Sequence, residues 1–184
     1  MTEPTRCPWA QGSDLYRDYH DREWGRPLRG SAALFERMTL EAFQSGLSWL
    51  IILRKRENFR RAFAGFDIET VAGFTETDVA RLLDDPGIVR NRAKIEAAVT
   101  NARAAVDLDV DLSDLLWSFA PPARPRPAGM ADVPAQTPES KAMATELKRR
   151  GFRFVGPTTA YALMQATGMV DDHLANCWVS RNPI

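Results

Sequence analysis

The chain has 184 residues, 45% hydrophobic and 26% charged, the proportions of an ordinary folded globule and not of a disordered or fibrous chain. Its 24 Lys and Arg balance its 24 Asp and Glu, which excludes a histone-like polycation and an acidic tail but leaves room for a local basic face. Two Cys make no disulfide framework, no apolar run is long enough to span a membrane, and the N-terminal segment has no apolar signal core, so a cytoplasmic protein without membrane contact is expected.

In chain order, Ser13 predicts the cap of a short helix that carries Tyr16, Tyr19 and His20. Ser31 opens a second helix with Leu34, Phe35, Met38 and Ala42 on one face, ending at Gly46. Ser48 is placed to cap a third, in which Ile52, Phe59 and Phe63 recur at helical spacing. Asp67 and Thr75 open two short helices, the second with Asp78 standing as in a capping box. Residues 91–106 are Ala-rich without Gly or Pro, a strong helix former, and 113–119 form a short apolar helix. The proline-rich stretch 121–138 is a connector. Thr137 caps a helix with Pro138 in its first position, running to Arg150 and stopping at Gly151; the last helix runs from near Pro157 to near Gly168. The segment FRFV (152–155) is too short to pair into a sheet. The expectation is an all-α fold, one domain over 1–184.

Four residues carry metal-binding potential. Cys7 and His20 lie near one end of the chain, and His173 and Cys177, four apart, near the other. A spacing of four puts both donors of the second pair on one side of a helix or turn, and the two pairs together supply the four N and S ligands of tetrahedral zinc. The spacing equally allows two ordinary small residues and two surface histidines. If zinc binds, four protein ligands leave no open position for water, so the ion ties the ends together and does not catalyse.

The turn GFRFVGPTTAYAL joins the last two helices. A hydrophobic-Gly-hydrophobic-Gly turn followed by a helix presents N-terminal amides to a DNA phosphate. Here Gly156 permits a close backbone approach, Thr158 and Thr159 open the helix, and Arg153 follows Lys148, Arg149 and Arg150 with positive charge; Phe154 stands where the first glycine belongs. On these residues alone a plain αα-hairpin with a solvated basic face is the simpler reading.

Trp9, Tyr16, Tyr19 and Trp24 crowd the first 24 residues, Trp49 follows, and Glu41 interrupts an apolar helix. Aromatic walls around one carboxylate suit an extruded nucleobase, whose faces stack on rings and whose N–H edge donates to the carboxylate. Taken singly, such aromatics are usually core and such a Glu is usually solvated. Two basic segments, 54–61 and 90–94, and the acids Asp107, Asp109, Asp111 and Asp114 suggest a polarised chain, with a charged helix face as the alternative.

Several long stretches, namely RCPWAQGSDLYRDYHDREWG, LEAFQSGLSWLIILRKRENFRRAF, GIVRNRAKIEAAVTNARA and KRRGFRFVGPTTAYALMQATGMVDDH, with the final Cys177, resemble the bacterial 3-methyladenine DNA glycosylase I family of the helix-hairpin-helix glycosylases. The likeness covers nearly the whole chain. It implies two helical lobes, a hairpin gripping double-stranded DNA, and hydrolysis of the N-glycosidic bond of 3-methyladenine. It implies a structural zinc on Cys7, His20, His173 and Cys177. It places Glu41 and Tyr19 in catalysis and Trp49, with Trp9, Tyr16 and Trp24, in the base pocket. Gly156, Thr158, Thr159 and Arg153 are then the DNA-contacting residues. Departures from the family pattern are Phe154 and a tail running seven residues past Cys177. Asp171 and Asp172 stand near the place where many relatives put a sugar-stabilising Asp. No lysine follows Gly156, so strand cleavage through an amine nucleophile is not expected. A monomer is expected. The rival readings are a DNA-binding module without catalysis and a zinc hydrolase.

Overall fold

The side chains at the expected helix starts do close helix N-termini in the computed structural model, which describes residues 3–180. Ser13 Oγ accepts from the Tyr16 amide at 3.1 Å, Asp67 from Thr70 at 2.9 Å, Asn91 from Lys94 at 3.1 Å and Thr137 from Ser140 at 3.2 Å. Each such cap stabilises its helix by about 1 kcal/mol. They begin α1 (Asp14–Arg22), α4 (Ile68–Ala72), α6 (Arg92–Val106) and α8 (Pro138–Arg149). The others are α2 (Ser31–Gln44), α3 (Trp49–Ala62), α5 (Glu76–Asp84), α7 (Leu112–Trp117) and α9 (Pro157–Ala166). No strand occurs among the described residues. The limits of the 1–184 span, including the last four residues of the tail, lie outside them.

The capping box expected at α5 forms, with the Asp78 carboxylate reaching back to the Thr75 amide at 2.9 Å. Two starts differ in detail from expectation. Ser48 occupies the cap position of α3 but makes no capping bond, and it lines a cavity. Helix α7 begins at Leu112, one residue early, because Asp111 accepts from both the Ser113 and Asp114 amides.

Helix α2 is the hub. It packs on α3, α6, α7 and α9 and buries Leu34, Phe35, Met38, Leu40 and Phe43. Phe59, Phe63 and Phe66 continue this core, with the Phe63 and Phe66 rings stacked at 5.6 Å. Removing each ring from water contributes about 2–3 kcal/mol. A smaller cluster of Cys7, Leu174, Cys177 and Val179 joins the two ends of the chain.

Helices α8 and α9 pack together as a hairpin. Its turn is clamped from α6, where the buried Asn101 side chain donates to the Arg153 carbonyl at 2.9 Å and accepts from the Arg153 amide at 2.7 Å. Immediately after this clamp Phe154 takes φ +58°, the left-handed region that favours glycine. The glycine expected at 154 therefore has a conformational basis, and Phe154 adopts the same geometry at a steric cost. Gly156 does not need its glycine for the fold: its φ is −77°, and a Cβ there would meet no atom within 4 Å.

The expected basic segments are partly engaged by other groups of the protein, while Arg54, Arg61 and Arg90 are exposed. Arg56 pairs with Glu23, Arg60 with Glu36 and Glu57, and Arg92 with Glu76 and Glu96. Lys94 donates to the Phe43 and Ser45 carbonyls.

Candidate metal and base-binding site

Cys7, His20, His173 and Cys177 converge, with their four ligand atoms within 4.8 Å of one another. Cys177 Sγ lies 3.5 Å from His20 Nε2 and 3.6 Å from His173 Nδ1, and Cys7 Sγ lies 3.8 Å from His173 Nδ1. Bonds of ~2.3 Å to S and ~2.05 Å to N at a tetrahedral angle give an S to N separation of about 3.6 Å. The residues thus fit one tetrahedral cation. The outer atoms fit as well. His20 Nδ1 meets Asp21 Oδ1 at 2.8 Å and His173 Nε2 meets the Trp24 carbonyl at 3.0 Å, which leaves the inward nitrogens as bare lone pairs. Asp21 is itself held by Arg6. The Leu174 amide donates to Cys7 Sγ. Burial, reinforced by the neighbouring Cys177, pushes the Cys7 thiol up to about 11, and burial pushes the His173 imidazole down to about 4, so a cation binding there must draw the proton off Cys7 and finds His173 already neutral. A Cβ on Gly25 would come within 3.1 Å of the His173 ring, and Gly25 has φ +75°, so the loop after α1 needs glycine to pass the ligand.

Beside this cluster lies a cavity of about 310 Å³. Trp9, Tyr16, Tyr19, Trp24, Glu41 and Trp49 line it, all six of the residues expected in the base pocket. Trp9 is the hinge between the two sites: its ring lies 5.0 Å from Trp24, 5.8 Å from Tyr16 and 5.2 Å from His20. Tyr19 and Trp49 meet at 5.6 Å.

Glu41 is 5% exposed, and no donor among the described residues hydrogen-bonds its carboxylate. Burial pushes its carboxyl up to about 7 against the weaker pull of Arg37, one turn earlier on α2. Arg37 donates to the Tyr19 hydroxyl at 2.8 Å and faces Glu23, which Arg56 grips at 2.6 Å. With its oxygen accepting from Arg37, the Tyr19 hydroxyl keeps its own proton to give. Burial raises that phenol well above its usual range, so it stays protonated. The Tyr16 hydroxyl accepts from the Leu50 amide at 2.9 Å, tying α1 to α3. The Trp49 indole N–H is buried without a partner among the described residues.

Sequence reasoning missed Arg37, Gln44, Ser48, Ala162 and Gln165. Gln44 stands three residues after Glu41, so helical spacing could have found it. Ala162 and Gln165 arrive on α9, over a hundred residues away, and carry no local signal.

Arg153 and Thr158 are exposed and Thr159 is half-buried, all beside Gly156 at the start of α9. Along this turn runs a groove of about 670 Å³ that includes Lys148, Arg153 and Phe154. Asp171 pairs with Arg126. Asp172 is buried and bound by Arg124, Tyr161 and Gln165.

No helix among the described residues is long and apolar enough to cross a membrane. A methyladenine glycosylase family model matches residues 9–181. The chain is 45% identical over 178 residues to a DNA-3-methyladenine glycosylase of Haemophilus influenzae, covering 94% of this chain and 96% of that protein. A crystal structure of a 3-methyladenine DNA glycosylase I superposes with a TM-score of 0.93 at 44% identity, covering 96% of this chain and 100% of that one. A variant of 3-methyladenine DNA glycosylase I in complex with 3-methyladenine superposes with a TM-score of 0.91 at 34% identity, covering 96% and 98%.

Proposed function

The chain belongs to the methyladenine glycosylase family, and on that premise we propose that it excises 3-methyladenine from double-stranded DNA by hydrolysing the N-glycosidic bond. The observation that carries the proposal is Glu41: a buried carboxylate with no donor among the described residues, lining a cavity walled by aromatic rings. An extruded alkylated base supplies what is missing. Its N–H edge gives Glu41 its hydrogen bonds, and its positive charge offsets the penalty of burying an anion.

N3 alkylation makes adenine a cationic leaving group, so the site needs little acid catalysis. Trp49 stacks on the base, and Tyr19 frames it with a hydroxyl held by Arg37. Trp9, Tyr16 and Trp24 complete the walls. The bond between C1′ and the base breaks with its electron pair leaving on the base. Water adds to C1′ and gives up a proton, releasing free base and an abasic site. The lysines are Lys55, Lys94, Lys141 and Lys148, none after Gly156, so the reaction is monofunctional.

Zinc on Cys7, His20, His173 and Cys177, when bound, supplies a closed four-ligand centre that crosslinks the two ends of the chain. The two groups of helices act as lobes. DNA lies across the hairpin, with phosphate at the α9 amides near Gly156, Thr158 and Thr159 and with Arg153 alongside. The enzyme works as a monomer in the cytoplasm, on the nucleoid.

Release of base from methylated DNA is the test. Glu41→Gln and Trp49→Ala are expected to lose most of it, and absence of release by the unmutated chain overturns the proposal.

A further inference from the structure

Gln165 lines the same cavity as Glu41, and its amide is not free to turn. Its Nε2 donates to Asp172 Oδ2 at 3.0 Å. Asp172 is 2% exposed, and its other partners are the Arg124 guanidinium, at 2.8 Å from Oδ1, and the Tyr161 hydroxyl. A carboxylate so enclosed offers only acceptors, so the Gln165 nitrogen must face it and the amide oxygen must face the other way. Ala162, one turn earlier on α9, is also on the cavity wall, so this face of the helix is the one turned to the base.

We propose that Gln165 is a specificity-determining residue of the base pocket, presenting its amide oxygen as an acceptor for the exocyclic amine of the base, and that Asp172 is the positioning residue that fixes this orientation. The inference rests on the glycosylase reading of the cavity. An adenine amine carries two N–H donors, and the cavity then holds two acceptors, Glu41 and the Gln165 oxygen. A base with a carbonyl in place of the amine brings lone pairs toward the Gln165 oxygen and leaves that acceptor without a partner. Asp172 therefore acts on the choice of base through a neighbouring amide and touches no substrate itself.

The test measures binding of free 3-methyladenine and of 3-methylhypoxanthine, its 6-oxo counterpart, by quenching of the tryptophans that line the cavity. Binding by the unmutated protein is read first; if it binds neither base, the glycosylase reading fails before this one is reached. Asp172→Asn turns one acceptor into an N–H donor, which favours the flipped Gln165 amide with its nitrogen toward the base. The expected result is a fall of about tenfold or more in the preference for the amine-bearing base, the worth of one hydrogen bond changed from matched to mismatched. Gln165→Met removes the acceptor without introducing a donor and lowers the preference by a smaller factor. It carries the test alone if Asp172→Asn does not fold. Equal weakening of both bases by both variants, with the preference intact, overturns the proposal, because scaffolding alone would do that.

Discussion

Tyr19 and His20 are consecutive residues of α1 that serve two different centres. Tyr19 turns its ring to Trp49, 5.6 Å away in the aromatic cavity, while His20 Nε2 lies 3.5 Å from Cys177 Sγ in the Cys/His cluster. Successive helix side chains diverge by about 100°, so one rigid turn delivers both. Trp24 repeats the arrangement, lining the cavity with its ring while its carbonyl accepts from His173 at 3.0 Å. A cation in the cluster would therefore fix the wall against which a base would lie.

Metal removal is expected to weaken base binding as well as stability. Zinc content by atomic absorption should approach one per chain and fall on prolonged chelation, with a lower melting temperature and weaker 3-methyladenine quenching. Asp21→Ala, which removes the outer partner of His20, should weaken zinc affinity by about 10–100-fold.

The Glu41 carboxyl, raised to about 7 from 4.5, makes the free protein lose stability as pH rises between those two values. In that window the unfolded chain releases the proton and the folded chain retains it. The penalty is complete above about pH 7 and amounts to roughly 3 kcal/mol. Glu41→Gln should therefore be more stable than the unmutated chain at pH 8 and similar to it at pH 4, while losing base release. Denaturant midpoints at the two pH values read this directly; a variant less stable at pH 8 contradicts it.

Arg37 is the one charge that lowers the Glu41 carboxyl, and it also holds the Tyr19 hydroxyl. In Arg37→Met the carboxyl should rise further and ionise only at higher pH. The acidic limb of the rate of base release should move to higher pH, with the maximal rate reduced about tenfold. An unshifted limb would show that the limb does not report Glu41.

Asn101 and Phe154 set the hairpin turn from opposite directions. Asn101→Ala strips both backbone partners from Arg153 and should cost about 2–3 kcal/mol of stability. It should also weaken DNA binding while leaving free-base binding intact. Phe154→Gly relieves a left-handed φ of +58° on an exposed ring and should raise stability by roughly 1 kcal/mol. Calorimetry and a filter-binding titration against duplex DNA check both variants.

Much of this was legible along the chain. Ser13, Asp67, Asn91 and Thr137 announce helices because a cap is a contact within three residues of its own start. The four Cys and His residues could be put forward as one ligand set because they are the only Cys and His of the chain and stand in two pairs, one near each end. The six pocket residues could be named from the family resemblance, and Phe154 could be read as standing in a glycine's place. What could not be read was burial and partnership. The basic segments looked free, yet Arg56, Arg60 and Arg92 are bound to carboxylates brought from other helices or other turns. Glu41 could have been a solvated side chain; it becomes a near-neutral carboxyl only because α2 is enclosed on several sides. Gln165 and Asp172 acquire meaning only when α9 meets α2 across the cavity. Caps and spacings depend on local backbone geometry, which the sequence states directly. Desolvation and the orientation of an amide depend on every element that closes around a side chain, and the tertiary structure alone decides those.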